Sequence, residues 1–465
     1  MADPKPLAVR ETPIPGLLVV DLVVHGDSRG WFKENWQREK MLAAGLPDFG
    51  PVQHNVSFNP EAGTTRGIHA EPWDKFVSVT SGRVFGAWVD LREGPSFGAV
   101  FTVEVDPSVA VFVPRGVGNA YQTLEPDTAY AYLVNDHWSP AAEYTFLNLA
   151  DETAAIAWPV PLAEAIVSDK DRAHPRLADV TPMAARNTLV LGANGQLGRA
   201  LRAYFPDAEF ADRAALDIAD PGLATARRWR DYGTIVNAAA YTKVDLAETP
   251  DGRRDAWAVN VAGAAQLARI AAENGILLVH VSSDYVFDGA VAGPHGEDEP
   301  FSPLGVYGQT KAAGDALVAT VPRHYLVRSS WVVGDGANFV RTMASLAGRG
   351  IAPQVVDDQV GRLTFADEIA RGIRHLVDTG APFGTYNLSN AGEPASWAEL
   401  AKRIFAAVGA DPGAVTPVTT GQYFAGKQVS PRPLNSLLDL TRIEATGFAP
   451  LDQFEALDRY LAAEL

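Results

Sequence analysis

The amino-acid sequence predicts a two-domain protein: an all-β jelly-roll domain, then a doubly wound α/β domain that ends in a small C-terminal lobe. Three observations predict it. A chain of 465 residues is long for a single domain. Up to about residue 149 the apolar stretches are short, alternating and evenly spaced. After residue 187 they become continuous strands that alternate with helical stretches, which is typical of a parallel sheet.

Composition limits the kinds of ligand that this chain can bind. Its net charge is −17, from 39 basic and 56 acidic residues, which argues against nucleic acid as a partner and makes any phosphate site a local feature. No run approaches the roughly 20 apolar residues that cross a bilayer, and the N-terminus lacks the build of a signal peptide. The absence of cysteine excludes disulfides and thiolate metal ligands. We therefore expect a cytoplasmic protein without membrane partners.

The first half consists of short predicted strands. Alternating apolar residues, separated by Gly, Pro, Asp and Asn, predict strands at 76–80, 84–89, 100–105 and 130–134. The one helix expected early in the chain covers 36–45. From 173 to 187 the pattern gives way to His, Pro, Arg and Ala, which indicates a linker. We place the domains at 1–184 and 185–465.

The second half alternates strands with helices. Apolar runs predict strands at 188–191, 235–239, 276–281 and 325–328, and helices at 196–203 and 258–274. Beyond Trp331 this alternation loosens. We expect the region from Trp397 onwards to cap the sheet as a smaller, substrate-binding lobe.

Glycines stand between the first strand and the first helix of this half. Glycine lets the backbone turn tightly and approach a pyrophosphate, and the helix N-terminus offers free N–H groups to the anion. A glycine-rich turn at a strand–helix junction therefore predicts a dinucleotide site. The residues of this predicted cofactor loop are Gly192, Asn194, Gly195, Gln196, Leu197 and Gly198.

The end of the next strand gives two opposing signals about the cofactor. An acidic residue there prefers a free ribose 2′-hydroxyl, and a basic residue accepts a 2′-phosphate. Asp212 and Arg213 supply one of each, so the choice between NADH and NADPH stays open. Asp217 and Ile218 are expected to edge the adenine pocket, although Asp217 is equally suited to capping a helix.

A serine, a tyrosine and a lysine form the predicted catalytic group of this half. Ser283 follows an apolar strand, while Tyr307 and Lys311 are four residues apart and so share one helix face. Free tyrosine, with a pKa of about 10, is a poor acid near neutrality. An ammonium one turn away is expected to lower the pKa of Tyr307 by favouring the phenolate. This pattern predicts reduction of a ketone.

These features resemble dTDP-4-dehydrorhamnose reductases, of the extended short-chain dehydrogenase class with its Rossmann fold. The resemblance covers 188–465 and rests on the segments 192–198, 237–245, 282–289, 307–311, 328–331, 358–362 and 432–436. It implies that Ser283, Tyr307 and Lys311 reduce a sugar ketone with NADPH or NADH. It also implies nicotinamide contacts at Ala238, Ala239 and Tyr241, and sugar-nucleotide contacts at Val244, Asp245, Trp331, Asn338 and Arg432. Ser283 stands where this family usually has Thr.

In the first half, His69 is the natural general base, and a carboxylate on its other ring nitrogen would orient it. Its surroundings resemble dTDP-4-dehydrorhamnose 3,5-epimerases, whose fold is a cupin-like jelly roll. The resemblance covers 8–172 and rests on 27–34, 53–55, 66–69, 89–92, 113–116, 138–143 and 168–171. It implies a base His69 held by Asp171, an enolate-stabilising Lys75 and a proton-returning Tyr132, with no metal or nicotinamide needed. The implied substrate contacts are Arg29, Glu34, Gln53, Asn55, Arg66 and Trp138.

Two positions depart from the epimerase pattern. Asn119 stands where the family commonly carries His, and Ala70-Glu71 follows the base where an aromatic residue and Gln are usual. The predicted base, its acid, the lysine and the tyrosine are all retained.

The two resemblances together predict a bifunctional enzyme of dTDP-L-rhamnose biosynthesis. It would epimerise C3 and C5 of dTDP-4-dehydro-6-deoxy-D-glucose and then reduce C4. The alternatives are the same chemistry on another 4-keto-6-deoxy sugar nucleotide, a reductase with an inactive epimerase-like half, and a non-catalytic dinucleotide-binding regulatory subunit. By resemblance, a homodimer is expected.

Overall fold

The structure, a computed structural model, describes residues 5–140 and 142–464, and its chain divides between Ala185 and Arg186 into two compact units. The elements of the first unit are β1 (Ala8–Glu11), β2 (Leu18–Asp21), β3 (Val24–Asp27), β4 (Gly30–Lys33), α1 (Arg38–Ala43), β5 (Gln53–Asn59), β6 (Thr65–Ala70), β7 (Lys75–Ser81), β8 (Val84–Asp90), β9 (Val100–Val105), β10 (Val109–Val113), β11 (Val117–Thr123), β12 (Thr128–Val134), β13 (Thr145–Phe146) and α2 (Asp169–Arg172).

Two antiparallel sheets build the first unit, as the jelly-roll prediction requires. One has the order β1-β2-β10-β7-β12-β5 and the other β13-β6-β11-β8-β9. Inward side chains from both sheets form one core that includes Val77, Trp88, Val111 and Tyr130. Strand neighbours far apart in sequence, such as β2 and β10, follow from this topology. The four predicted strands and the early helix are present.

The segment expected to be a linker is largely packed. A short 3₁₀ helix covers Leu177–Asp179, and the buried side chains of Leu177, Val180 and Met183 belong to the second core of the first unit. Met183 also bridges to Arg92 as an isolated β-pair. The composition of this stretch suggested a linker because its apolar residues are widely spaced, yet each of these three is buried.

The second unit contains an α/β sheet and smaller additions. Its strands are β14 (Asn187–Leu191), β15 (Glu209–Ala211), β16 (Tyr232–Asn237), β17 (Leu277–Ser283), β18 (His324–Ser329), β19 (Val332–Val333), β20 (Gln354–Val356), β21 (Val360–Gly361), β22 (Thr364–Phe365), β23 (Gly384–Asn387), β24 (Ala395–Ser396) and β25 (Thr416–Val418). Its helices are α3 (Gln196–Tyr204), α4 (Pro250–Trp257), α5 (Ala264–Asn274), α6 (Val306–Val318), α7 (Phe339–Gly348), α8 (Ala366–Thr379), α9 (Trp397–Ala407), α10 (Thr420–Tyr423), α11 (Thr441–Glu444) and α12 (Gln453–Glu464).

The main sheet is parallel, with the order β15-β14-β16-β17-β18-β23. Helices cover both of its faces. Leu189 and Leu191 point into a core with α5, while Val190 between them points into a core with α3 and α8. Burial on both faces explains why these strands are continuously apolar.

Two predictions, one for a helix and one for the C-terminal lobe, are corrected in this unit. The range 258–274 consists of a π-helical turn at Ala258–Gly263 followed by α5, and α4 directly precedes this turn. The lobe expected from Trp397 onwards takes its core from separate stretches, because side chains of α7, β20 and β22 pack with those of α9 and α12. In contrast, Leu440, Ile443 and Phe448 pack against the main sheet. No helix in the described residues is long and apolar enough to cross a membrane.

Candidate active sites

The first candidate site centres on a histidine and an aspartate 102 residues apart. His69 lies on β6, and its Nε2 is 2.9 Å from Oδ1 of Asp171 on α2. Ser168 caps α2 by accepting a hydrogen bond from the Asp171 N–H, and Gly67 N–H donates to Asp171 Oδ2. Burial acts to raise the pKa of Asp171, but hydrogen bonds and the charge of His69 lower it overall. With Nε2–H donated to a carboxylate, Nδ1 of His69 keeps the lone pair that can take a proton.

The other sheet contributes the predicted lysine and tyrosine. Lys75 begins β7, its buried ammonium pairs with Glu71, and its Nζ lies 5.2 Å from the ring centroid of Tyr132 on β12. Burial and then the negative charge of Glu71 raise the pKa of Tyr132. The phenol therefore holds its proton at neutral pH, as a proton donor must. Glu71 was not predicted as a partner, although its i,i+4 spacing from Lys75 was visible in the sequence.

Three of the predicted nucleotide contacts are joined to one another. Gln53 Nε2 donates to Asn55 Oδ1 at 2.9 Å, and Trp138 N–H donates to Gln53 Oε1 at 3.1 Å. Asn55 lies directly opposite Tyr132 in the pairing of β5 with β12. The Trp138 side chain is exposed, which leaves its ring free for stacking on a base or sugar.

The remaining predicted contacts of this domain, Arg29, Glu34 and Arg66, have exposed side chains. Arg29 pairs with Asp27 in the β3–β4 hairpin, and Glu34 pairs with Lys40. Arg66 is exposed on β6 and donates to Asn59 Oδ1 at 3.2 Å. None of these three residues takes part in the hydrogen bonds that join His69, Asp171, Gly67 and Ser168.

Asn119 occupies the position where the family pattern carries histidine. It lies opposite His69 in the pairing of β11 with β6, and its Oδ1 accepts from the Tyr130 hydroxyl at 3.0 Å. Tyr130 in turn stacks on Tyr121, with ring centroids 4.1 Å apart. The amide is thus held by a buried phenol that links the two sheets. The substitution leaves the His69–Asp171 pair intact.

The second candidate site begins at the glycine turn after β14. Gly192 has a φ of +80°, and a Cβ there would lie 2.7 Å from Ala239 N. A Cβ on Gly198 would lie 2.2 Å from Gly192 O. Gly195 is the N-cap of α3. Glycine is therefore required at 192 and 198 so that strand, turn and helix can approach closely.

A cavity of about 660 Å³ opens where β14, β15 and β16 end. The predicted cofactor residues in its lining are Gly192, Asn194, Gly195, Arg213, Asp217, Ile218, Ala238, Ala239 and Tyr241. Lining residues that the sequence did not single out as contacts include Ala240, Thr242, Lys243, Asp255, Ala258 and Val259. A crevice at the carboxyl ends of parallel strands, beside a glycine turn, fits a dinucleotide.

Three predicted cofactor residues lie outside this lining. Leu197 is buried in the core beneath α3, and Gly198 serves the close packing just described. Gln196 donates to Ala337 O at 3.4 Å, outside the cavity. Leu197 and Gly198 therefore serve the packing of α3, whose N-terminus begins at the glycine turn.

The two residues that gave opposing cofactor signals are engaged differently. Asp212 accepts from Asn194 Nδ2 at 2.7 Å and from the N–H groups of Ala214 and Ala215 at 3.0 Å each. Arg213 pairs with Asp217 Oδ2 at 3.0 Å and is highly exposed. The aspartate orders its own loop, while the guanidinium is held only at the surface.

Tyr307, Ser283 and Lys311 are all buried in the second unit. Tyr307 packs with Tyr241, Val244 and Tyr285 in one cluster. Burial raises the pKa of Tyr307, and a hydrogen bond with Ser283 lowers it only partly. The predicted lowering of the Tyr307 pKa by Lys311 is therefore wrong for this structure. The Lys311 ammonium instead donates to Val281 O at 2.8 Å.

A buried chain of side chains surrounds Lys311. Ala239 N–H donates to Asn237 Oδ1, which leaves Asn237 Nδ2 to donate to His280 Nδ1 at 2.9 Å. The proton of neutral His280 is then on Nε2, 3.5 Å from Lys311 Nζ. Burial lowers the pKa of Lys311 to about 8 and that of His280 well below its usual value. Neither residue was predicted to act at this site: His280 lies within the predicted strand 276–281, and Asn237 lies within the predicted strand 235–239 and the segment 237–245 that resembles the reductases.

A π-helical turn supports the same site. Asn260 in this turn accepts from Tyr241 N–H at 2.8 Å and donates to Tyr241 O and to Thr310 Oγ1. It therefore ties the Tyr241 loop to α6, which carries Tyr307. Such turns recur at functional sites.

The predicted sugar contacts form two groups and one exception. Asp245 and Arg432 pair at 2.8 Å, which joins the loop after β16 to the C-terminal segment. Trp331, with a φ of +44°, stacks on Trp397 at 3.8 Å. Asn338, which is predicted to face the sugar nucleotide, caps α7, and its amide donates to Gly334 O, Gly336 O and Tyr460 Oη.

Comparison with known proteins fits this geometry. Residues 186–465 match the family model described as RmlD substrate binding domain, and residues 11–179 match that of dTDP-4-dehydrorhamnose 3,5-epimerase. The RmlC homolog of Streptococcus pyogenes serotype M6 is 51% identical over 191 residues, covering 39% of this chain and 96% of the relative. The dTDP-4-dehydrorhamnose reductase of Mycolicibacterium smegmatis is 38% identical over 299 residues, covering 60% of this chain and 86% of the relative.

A solved structure agrees with these matches. The dTDP-4-dehydrorhamnose reductase of Bacillus anthracis, determined in complex with NADP, is 31% identical, with a TM-score of 0.55 over 60% of this chain and 99% of that one. The second unit is thus a Rossmann-fold reductase domain. The chain belongs to the RmlD substrate binding domain family, with a domain of the dTDP-4-dehydrorhamnose 3,5-epimerase family fused before it. The predicted resemblances and fold classes are confirmed.

Proposed function

We propose that this chain is a bifunctional enzyme of dTDP-L-rhamnose synthesis, acting first as a 3,5-epimerase and then as an NAD(P)H-dependent reductase. One observation carries the proposal. The same chain holds the His69–Asp171 pair, with Lys75 and Tyr132 on the opposite sheet, and a buried Ser283–Tyr307 pair in the domain that carries the glycine-turn cavity. Both halves then act on an activated 4-keto sugar, since the family model of the first half and the name of the second half's relative both specify dTDP-4-dehydrorhamnose.

The first domain carries out proton transfer. The C–H bonds at C3 and C5 of a 4-keto sugar are acidic because the carbonyl stabilises the enolate. Nδ1 of His69 removes such a proton while Asp171 holds the ring and stabilises the imidazolium. The Lys75 ammonium balances the charge on the enolate oxygen. Tyr132, on the other sheet, returns a proton to the opposite face and so inverts the centre.

The second domain protonates the reduced carbonyl. The cavity lined by Gly192, Ala238 and Ala239 would hold NAD(P)H, which would supply the hydride. Ser283 and Tyr307 hold the C4 oxygen, and Tyr307 donates its proton to that oxygen as the alcohol forms. Lys311 contributes positive charge behind the phenol once the site is filled. Val244, Asp245, Trp331 and Arg432 contact the sugar nucleotide, whereas Asn338 supports the fold of the lobe.

We also propose a cytoplasmic homodimer. Strand β5 lies at the edge of its sheet, and its exposed face carries Val56 and Phe58 at about 60% and 59% exposure. Phe32 on the β3–β4 hairpin is another exposed apolar side chain of this domain, at 65%. An apolar edge of this kind favours pairing with a second copy. Light scattering on the purified protein measures its mass, and a monomer at micromolar concentration contradicts the dimer.

A coupled assay tests the enzymatic proposal. The full chain is mixed with dTDP-4-dehydro-6-deoxy-D-glucose and NADPH or NADH, and absorbance at 340 nm is followed. We expect oxidation of the cofactor and a rhamnose-configured product by NMR. Cofactor binding without turnover favours a regulatory subunit. Oxidation with retained configuration at C3 and C5 indicates an inactive epimerase half.

A further inference from the structure

A second buried histidine lies beside the His69–Asp171 pair and takes no part in the mechanism above. His174 follows α2, and its side chain is only 6% exposed. Its ring stacks on Phe146 at 4.6 Å and meets His69 edge-on at 5.3 Å. Neither ring nitrogen has a hydrogen-bond partner among the described residues. Buried polar atoms are usually paired, so two unpaired imidazole nitrogens at one site point to a missing ligand.

The distances among these side chains suit a metal ion. Asp171 Oδ1 is 2.9 Å from His69 Nε2 and 3.8 Å from His174 Nε2, and the three donor atoms lie within 4.8 Å of one another. At a zinc–nitrogen distance of about 2.0–2.1 Å, tetrahedral angles place two ligand nitrogens roughly 3.4 Å apart, whereas the three donor atoms here lie within 4.8 Å of one another. The two imidazoles must therefore move towards each other for both to bind one zinc ion.

The donor set selects the kind of metal. Two imidazoles and one carboxylate suit Zn²⁺ and its neighbours in the transition series, whereas Ca²⁺ and Mg²⁺ need more oxygen donors. The Gly67 N–H already holds the second carboxylate oxygen of Asp171, as a supporting group for a ligand should. The remaining coordination position is open to water or substrate, because His69 is one-third exposed.

We propose that His69, Asp171 and His174 form an inhibitory site for Zn²⁺ or a similar divalent transition metal within the epimerase site. The consequence rests on the epimerase activity proposed above. When Nε2 binds the metal, the single ring proton of neutral His69 is transferred from Nε2 to Nδ1 by way of solvent. Nδ1 then carries a proton, so the lone pair that removes the C3 and C5 protons is lost. Zinc would stop epimerisation while the reductase domain keeps its own catalytic groups.

Calorimetry tests the metal site without reference to activity. ZnCl₂ is titrated into the chelator-treated full chain, and we expect one site per chain that weakens at least tenfold in His174→Phe, whose ring preserves the stack on Phe146. The matched control is His25→Gln, which changes an exposed histidine on β3. Equal zinc affinity in wild type and His174→Phe overturns the proposal.

Two activity measurements test the inhibition. Zinc should slow solvent-deuterium entry at C3 and C5 at least tenfold in wild type and His25→Gln, and have little effect on His174→Phe relative to its own metal-free rate. Reduction of a supplied 4-keto-L-sugar nucleotide should continue under the same zinc concentration. Undiminished deuterium entry in zinc-saturated wild type overturns the inhibition. If no deuterium exchange occurs even without zinc, the proposed epimerase function is contradicted. The calorimetric titration then still tests whether the metal site exists.

Discussion

The two domains place their proton-transfer groups in opposite environments. In the epimerase domain, His69 is one-third exposed and its partner Asp171 lies 102 residues away in the chain. In the reductase domain, Ser283, Tyr307 and Lys311 are each less than one-tenth exposed, and burial dominates the pKa shifts of the last two. Hydrogen bonds and the charge of His69 hold the pKa of Asp171 down against burial in the first site, whereas in the second site burial raises the pKa of Tyr307 and lowers that of Lys311.

This difference suits the two reactions. Epimerisation returns a solvent-derived proton to carbon, so its base has to exchange protons with water. Hydride transfer is disrupted by water, and a dry site strengthens the hydrogen bonds that hold the ketone. The contrast predicts that each activity can be removed without the other, and that the two activities respond differently to pH.

The largest expected effect is in the buried site. Tyr307→Phe removes the phenolic proton donor while keeping the ring in its apolar cluster, and we expect reduction to fall by about 10³–10⁴-fold. Cofactor oxidation at 340 nm measures this with pre-epimerised substrate. Deuterium entry at C3 and C5 is the control and should match wild type. Loss of both activities would contradict the separation of the sites.

The converse change is made in the exposed site. His69→Gln removes the base, and we expect deuterium exchange to fall by about 10²–10³-fold because no other group takes the proton. Reduction of a supplied 4-keto-L-sugar nucleotide should be unchanged. Persistent exchange would remove His69 from its proposed role.

Raising the pH should reduce the reductase activity, but by a smaller factor than the two substitutions above reduce theirs. Burial lowers the pKa of Lys311 to about 8, so its ammonium is present below that pH and lost above it. Since the mechanism uses the charged form, reductase kcat/KM should fall above pH 8 by about tenfold per pH unit. Lys311→Arg, which keeps its charge, should remove this alkaline limb from whatever activity remains. A wild-type profile that is flat from pH 7 to 10 would contradict the role of the ammonium.

The smallest effect is expected at the ion pair that joins two segments of the reductase domain. Arg432 and Asp245 are 2.8 Å apart, and Asp245 is about half exposed. A double-mutant cycle with Arg432→Met and Asp245→Asn should give a coupling of about 1 kcal/mol or less in unfolding free energy, because solvent screens the pair. Urea unfolding measures the coupling. A coupling of several kcal/mol would show that the segment depends on the pair for its position.

Residue patterns predicted the strands and helices more reliably than they predicted which distant segments pack together. Alternation at 84–89 and 100–105 and the continuous runs at 188–191 and 276–281 fixed the strand types, because side-chain periodicity is a local property. The lobe and the linker were less predictable. Whether Met183 or Leu440 is buried depends on surfaces formed elsewhere in the chain.

The sequence alone determined the reaction class of each domain. The reaction class followed from Tyr307 and Lys311 at helical spacing, from the glycines before α3, and from His69 and Asp171 in segments that resemble the epimerase family. Only the tertiary structure decided their environments. It buried Tyr307 so that its pKa rises, directed Lys311 towards Val281 and His280, and brought His174 to the base. The reason is physical: residue type and spacing fix what a group can do, whereas burial and non-local neighbours fix its protonation and partners.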